Sequence, residues 1–316
     1  MKNVKFFFAV FMLLAAACSN EESLDSIVNP SNEQAQAQAP VTVSVSGFAV
    51  EQEDFHGTGE SQGTRGTTRA LTRAQSVSDY ANVKVLTLAF YKGSTEVFKQ
   101  TQNRDDNTTF TTFGEFSTTL PIGSYTMVVL GYVLYDDDAL TLTSPTQAEY
   151  TVGSPRETFA ATQAVNVTST TALNLSATLD RIVSQLKVIS SDNRTENISN
   201  VRMTFSAGGK AFNPTTGLAT VNTGFSNTVG ISTAVGARSG SVSYLFLDSD
   251  EQTMDVTIET LDADGNTVFS TVVEDVPFKR NRITKLTGAI YDVSASATAG
   301  GFQVNTEWLD DENMNF

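Results

Sequence analysis

The groups available for covalent chemistry are few. The 316-residue chain has one cysteine, Cys18, and one histidine, His56, so Cys–His or Ser–His catalysis has almost nothing to work with. A transition-metal site is equally unsupported, because the His and Cys clusters that hold such ions are absent. His56 stands among polar and glycine residues and reads as a solvated loop side chain. Carboxylates are abundant, with 35 acids against 20 bases and a formal net charge of −15. Asp136-Asp137-Asp138 follows an apolar run ending at Tyr135, and Asp248, Asp250 and Glu251 follow another. Such acids suit a Ca²⁺ shell or, more plainly, a solvated turn that closes a strand. Asp262-Ala263-Asp264-Gly265-Asn266 has its glycine at the fourth position rather than the sixth, and Val273 where a calcium loop needs Glu. It is expected to be a hairpin turn. Glycoside hydrolysis needs two carboxyls at a set separation, and spacing along the chain singles out no pair. No catalytic residue, metal or cofactor is expected.

The other chemistry on offer is peptide-bond cleavage. Residues 63–73 read GTRGTTRALTR and carry Arg65, Arg69 and Arg73, the first basic residues after the N-terminal lysines. A four-residue spacing lines up on a helix, but the glycines and threonines between them oppose helix formation. Three charges are few for a polyanion patch, and a pI of about 4.4 argues against nucleic acid. Exposed loops of small residues are preferred sites of proteolysis, which makes Arg69-Ala70 and Arg73-Ala74 the favoured bonds. An ordinary solvated loop remains the plain alternative.

These residues are set in a recognisable order. Lys2 and Lys5 precede an apolar run, Phe6 to Ala17, that is too short to span a bilayer as a helix. With small residues at its end, it is a secretory signal peptide over residues 1–17. Leu14-Ala15-Ala16-Ala17-Cys18 resembles a bacterial lipobox, with its leucine one place earlier than usual. The resemblance implies lipidation of Cys18 and attachment to the outer membrane, and Glu21 and Glu22 resemble a signal for its outer face. Two or more acyl chains anchor a protein stably. Residues 18–40 are polar, include QAQAQA, and read as a tether.

From Val41 the pattern changes. VTVSVSGFAV (41–50) alternates in strand fashion, and residues 51–82 form a long polar loop that holds the arginines. Short strand-like runs follow quickly from Val83, with turn residues between them and no long amphipathic helix. This predicts an all-β chain of two β-sandwich domains, residues 41–178 and 179–316. The C-terminal piece places Phe302, Val304, Thr306 and Trp308 on one face. It suits either the last strand of the second sandwich or a strand donated to a neighbouring sheet.

Leu120-Pro121-Ile122-Gly123-Ser124-Tyr125 resembles the L-P-x-G-x-Y lead-in to a strand of transthyretin-like sandwiches. Leu179-Asp180-Arg181-Ile182-Val183 and Val276-Pro277-Phe278-Lys279-Arg280-Asn281-Arg282-Ile283-Thr284 complete a set. Together with lipobox, tether, first strand and arginine loop, this set is similar to the fimbrillin family, the subunits of type V pili. The resemblance implies two transthyretin-like Greek-key sandwiches and no enzymatic activity. It also implies an Arg-specific trypsin-like protease that cuts in the 65–73 loop and frees lipid, tether and first strand. Polymerisation with other fimbrial subunits by donor-strand exchange, and a role in adhesion at the cell surface, would follow. Stalk, tip and uncleaved anchor roles stay open, and a surface glycan-binding lipoprotein is the alternative.

Overall fold

The structure is a computed structural model that describes residues 37–51, 72–106, 108–134, 139–291 and 302–306. Twenty β-strands make up its regular structure. The first ten are β1 (Gln38–Glu51), β2 (Thr72–Gln75), β3 (Val85–Lys92), β4 (Thr95–Asn103), β5 (Glu115–Pro121), β6 (Gly123–Tyr132), β7 (Ala139–Ser144), β8 (Gln147–Val152), β9 (Thr158–Val167) and β10 (Leu173–Arg181). The second ten are β11 (Ser184–Ser190), β12 (Asn200–Phe205), β13 (Ala211–Asn213), β14 (Leu218–Ala219), β15 (Phe225–Gly230), β16 (Gly240–Leu245), β17 (Glu251–Leu261), β18 (Thr267–Lys279), β19 (Ile283–Gly288) and β20 (Gln303–Thr306). The chain is all-β, as its alternating patterns predict.

An eight-stranded sheet runs β2-β1-β10-β9-β6-β3-β4, with β5 paired to β1 off that path. It closes around a core drawn from β1, β3, β5, β6, β9 and β10, including Val43, Leu88, Phe116, Met127, Phe159 and Leu179. Two four-stranded sheets, β16-β11-β19-β20 and β15-β12-β17-β18, enclose a second core that includes Leu186, Met203, Phe205, Ile258 and Phe278. Strand β11 shows why: its burial alternates strictly from Ser184 to Ser190, so one face meets the core and the other does not.

A third apolar cluster joins the two parts. β7 and β8 pair with β13 and β14 in one four-stranded sheet, which brings Tyr150 and Phe212 together with Phe246, Ile182 and Val183. It covers the outer face of β3 and β6 through Ala89, Tyr91, Val128 and Leu130. Both faces of these strands are therefore buried, which explains why they read as continuous apolar runs rather than alternations.

Several local expectations are met in detail. The Asp262–Asn266 segment is the turn between β17 and β18: Asp262 Oδ1 accepts from the backbone N–H of Asp264 and Asn266 at 3.0 and 2.8 Å, with Gly265 at φ +84°. Hydrogen bonds from Asn266 hold the Asp262 carboxyl below its ordinary range. Tyr125 is buried and donates its hydroxyl to the Pro121 carbonyl at 2.7 Å, locking the lead-in between β5 and β6. Asp250 and Glu251 are each neutralised by a base, Arg280 at 2.6 Å and Lys279 at 2.8 Å. Asp136, Asp137, Asp138 and His56 lie outside the described residues.

Candidate functional site at the first strand

The alternation V-x-V-x-V makes β1 a strand with one fully apolar face. Ala39, Val41 and Val43 are at most 1% exposed, and Val45, Phe48 and Val50 are buried beside them. The phase shifts once, at a bulge between Val45 and Gly47, so that Phe48 and Val50 continue the inward face.

β1 is not an edge. It runs parallel to β10 from Val41↔Leu173 to Ala49↔Asp180 and antiparallel to β5 from Gln38↔Pro121 to Ser44↔Glu115. Its last residues pair with β2 instead, from Phe48↔Gln75 to Glu51↔Thr72. Side chains add to the ladders: Ser44 Oγ donates to Glu115 Oε2 at 2.7 Å, and Ser46 Oγ donates to the Ala177 carbonyl at 3.0 Å. Burying Val41, Val43, Val45, Phe48 and Val50 contributes on the order of 10 kcal/mol as an upper estimate. That is comparable to the whole stability of a typical domain. Removal of β1 without a substitute would expose an apolar groove with unpaired strand edges on both sides.

The deepest part of this groove holds Phe48. Its ring lies 4.9 Å from Phe159 and 5.5 Å from Tyr80, centroid to centroid. Gly131 lines the pocket, and a Cβ there would stand 3.1 Å from the Phe48 ring. Gly47 is required for a different reason, since a Cβ on it would fall 2.3 Å from the Gln75 carbonyl oxygen. Gly47→Ala is thus expected to force β2 away and to cost about 1–3 kcal/mol, which urea denaturation of the two proteins would measure.

Tyr80 is itself pinned by a buried charge cluster. Arg181 Nη2 lies 2.6 Å from Glu157 Oε1 and donates to the Tyr80 hydroxyl at 2.8 Å, while Tyr80 donates to Glu157 at 2.5 Å. Arg181 Nη1 reaches Asn281 Oδ1 at 3.2 Å, in the turn between β18 and β19. Burial, reinforced by the Glu157 charge, keeps the Tyr80 hydroxyl protonated far above its ordinary value. Burial opposes the Arg181 charge, but the neighbouring Glu157 and Tyr80 oxygens outweigh it and raise its pKa. A second arginine, Arg104, donates to the carbonyls of Val83 and Val77 at 3.0 and 2.8 Å and stacks 4.2 Å over Phe113. Residues 77–83, just after β2, are therefore fastened to the sandwich independently of β1.

Cys18, Arg65, Arg69 and Trp308 lie outside the described residues. Arg73 stands in β2, its backbone paired with Val50, so part of the expected 51–82 loop is strand. The polar TRAQ segment has no apolar alternation to reveal this; the approach of Gln75 to Gly47 produces it. Phe302 is half-buried against the second core, Val304 is 43% exposed, and Thr306 pairs with Thr284. Arg73 thus pairs with one end of β1, whereas the described C-terminal candidates lie in or just before β20, beside β19 at the edge of another sheet.

Sequence reasoning quoted Arg181 within a motif but missed its place in this cluster, and it missed Glu157 and Tyr80 altogether. The one available signal was the phase of β10, where Arg181 falls on the same face as buried Leu179.

No curated protein matches the sequence. Solved structures that are similar share little sequence. A candidate adhesin from Bacteroides ovatus is 10% identical with a TM-score of 0.48, covering 81% of this chain and 88% of its own. A second candidate adhesin from Bacteroides ovatus is 12% identical with a TM-score of 0.47, covering 87% of this chain and 96% of its own. The fimbrial anchor protein Mfa2 from Porphyromonas gingivalis is 12% identical with a TM-score of 0.41, covering 79% of this chain and 90% of its own. The family model described as a family of unknown function (DUF6562) matches residues 42–313, and the chain belongs to that family.

Proposed function

We propose that this chain is the exported, lipid-anchored precursor of a cell-surface fimbrial subunit. Cleavage after Arg65, Arg69 or Arg73 by an Arg-specific protease would release Cys18, the tether and β1. A strand from another subunit would then take the vacated groove, and repetition of that exchange would build a fimbrium that supports adhesion. The observation that carries this proposal is the placement of β1: a fully inward-facing central strand, flanked by β5 and β10, that leads into the arginine segment. A strand so placed is an awkward one to lose and a specific one to replace, because backbone ladders supply affinity and alternate side chains fill pockets. The anchored 77–83 segment supports the same proposal, since the sandwich keeps its own hold on the chain beyond the cut.

Limited trypsin treatment of the full precursor, followed by N-terminal sequencing and electron microscopy, tests it. The expected products start at Gly66, Ala70 or Ala74 and convert from monomer to fibre. Assembled surface material that still starts at Cys18 would sink the shed-strand mechanism and leave the uncleaved anchor role.

A further inference from the structure

Loss of β1 would not leave its two flanking strands alike. β5 pairs with β1 from Gln38↔Pro121 to Ser44↔Glu115 and has no other ladder among the described residues. β10 also has its long ladder with β1, and it meets β9 only at Asp180↔Ala160 and Arg181↔Phe159. Each strand therefore loses most of its backbone pairing with β1, and side chains decide what holds it afterwards.

β5 keeps a peg at each end. At its start, the fully buried Gln102 of β4 directs both ends of its amide onto the chain at Gly114-Glu115. Its Nε2 donates to the Glu115 carbonyl at 2.7 Å, and its Oε1 accepts from the Gly114 N–H at 2.8 Å. At the other end, Tyr125 of β6 donates to the Pro121 carbonyl at 2.7 Å. Neither peg involves β1, yet each lies beside a terminal bond between β1 and this segment. The Gly114 carbonyl accepts from the Val45 N–H at 2.8 Å, and the Ile122 N–H donates to the Ala37 carbonyl at 3.0 Å. Phe116 and Leu120 also hold β5 to the core, but apolar contact is non-directional and does not set a register.

β10 is built differently. Its last residue is fixed, because Arg181 is bound to Glu157 and Tyr80. Further back, Asn174 and the Ala177 carbonyl accept hydrogen bonds from Thr42 and Ser46 of β1 itself, while Leu173 and Leu175 are only half-buried against the core.

We propose, on the basis of the function above, that β5 is the standing wall of the emptied groove and β10 its closing wall, with Gln102 and Tyr125 as the residues that position β5. The incoming strand pairs first with β5, antiparallel, between the Gly114 carbonyl and the Ile122 N–H. The Leu173–Ala177 half of β10 then lays down on its other side. Without the pegs, β5 is ordered in only a fraction of empty subunits, and association slows by that fraction. Once the strand is seated, its ladder holds β5, so dissociation changes little. A role confined to the stability of the filled sandwich would do the reverse.

Strand uptake kinetics separate the two. The full precursor, nicked with trypsin, is tethered sparsely to a surface by a C-terminal tag. Its own β1 fragment is washed out in urea, and after return to buffer a peptide of residues 37–51 is passed over it. Gln102→Met is expected to associate roughly tenfold more slowly than wild type and Tyr125→Phe roughly threefold, for two lost hydrogen bonds and one. Both should dissociate within about twofold of the wild-type rate. Leu175→Ala, in the closing wall, should show the opposite split, with unchanged association and several-fold faster dissociation. Tyr125→Phe keeps the buried ring and carries the test if Gln102→Met fails to fold. Peg variants that associate at the wild-type rate, or that lose affinity through faster dissociation, would overturn the standing wall and leave the exchange of strands in place. So would a Leu175→Ala chain whose association slows as much as that of Gln102→Met. Failure of the wild-type chain to take up the peptide would overturn the strand-exchange reading together with this one.

Discussion

Replacing Arg181 with Ala is expected to lower the stability of the chain by about 3–5 kcal/mol, the usual result of removing one partner of a buried ion pair. Glu157 and Arg181 are almost wholly buried, so the carboxylate left behind would lose its ion-pair partner where bulk water has little access. The Tyr80 hydroxyl would still donate to it. Guanidinium chloride unfolding of wild type and variant would read the loss directly, as a lower midpoint at an unchanged slope. The triple variant Tyr80→Phe, Glu157→Leu, Arg181→Met supplies the complementary result. With the Tyr80, Glu157 and Arg181 polar groups removed together, Asn281 kept and volume roughly preserved, most of the loss should be recovered, because an apolar replacement of a buried pair is often neutral or better. A triple variant as damaged as Arg181→Ala would show that packing, rather than the unpaired charge, sets the cost. Hydrogen exchange adds a local readout: the amides of residues 77–83 should exchange faster in Arg181→Ala, since Tyr80 loses one of its two anchors while the Arg104 contacts remain.

How much of this was legible beforehand depends on the distance over which each feature is determined. The β1 pattern could be read because burial on one face writes itself into every second residue. The Asp262–Asn266 turn could be read because its hydrogen bonds close within four residues. The charge cluster could not, since Tyr80 and Arg181 are 101 positions apart and Tyr80 and Glu157 are 77. Equally hidden was the parallel partner of β1, because Val41 meets Leu173 only after eight other strands have formed between them. The β13 and β14 strands, three and two residues long, are too short to carry a period. Their pairing with β7 and β8 is set by the Tyr150, Phe212 and Phe246 rings stacked between the two parts of the fold. The arginine loop was found as sequence, and its relation to the groove became visible only through β2. Strand β2 carries the chain back along the last turn of β1 and fixes the need for glycine at position 47.

A chain that begins at Ala70, and so lacks β1 from the start, is expected not to fold as a stable monomer. The five large apolar side chains it loses contribute on the order of 10 kcal/mol, against a total domain stability of about 5–15 kcal/mol. The exposed edges of β5 and β10 would add a tendency to pair with whatever strand is available, so soluble aggregates or self-associated species are expected by size-exclusion chromatography. Adding a synthetic peptide of residues 37–51 should restore a monomer with cooperative thermal unfolding. At a peptide concentration 100 times its dissociation constant, binding should stabilise the folded chain by about 2.7 kcal/mol. The same peptide carrying Phe48→Ser should rescue poorly, because a fully buried ring in contact with Phe159 and Tyr80 would be replaced by a small polar group in an apolar pocket. A peptide carrying Ser46→Ala keeps the inward face and loses only the hydroxyl contacts to Ala177 and Thr178, so it should rescue nearly as well as the original. If the shortened chain instead melts cooperatively as a monomer at the temperature of the intact one, β1 is an ornament rather than a structural strand. The groove would then lack the driving force that any exchange of strands requires.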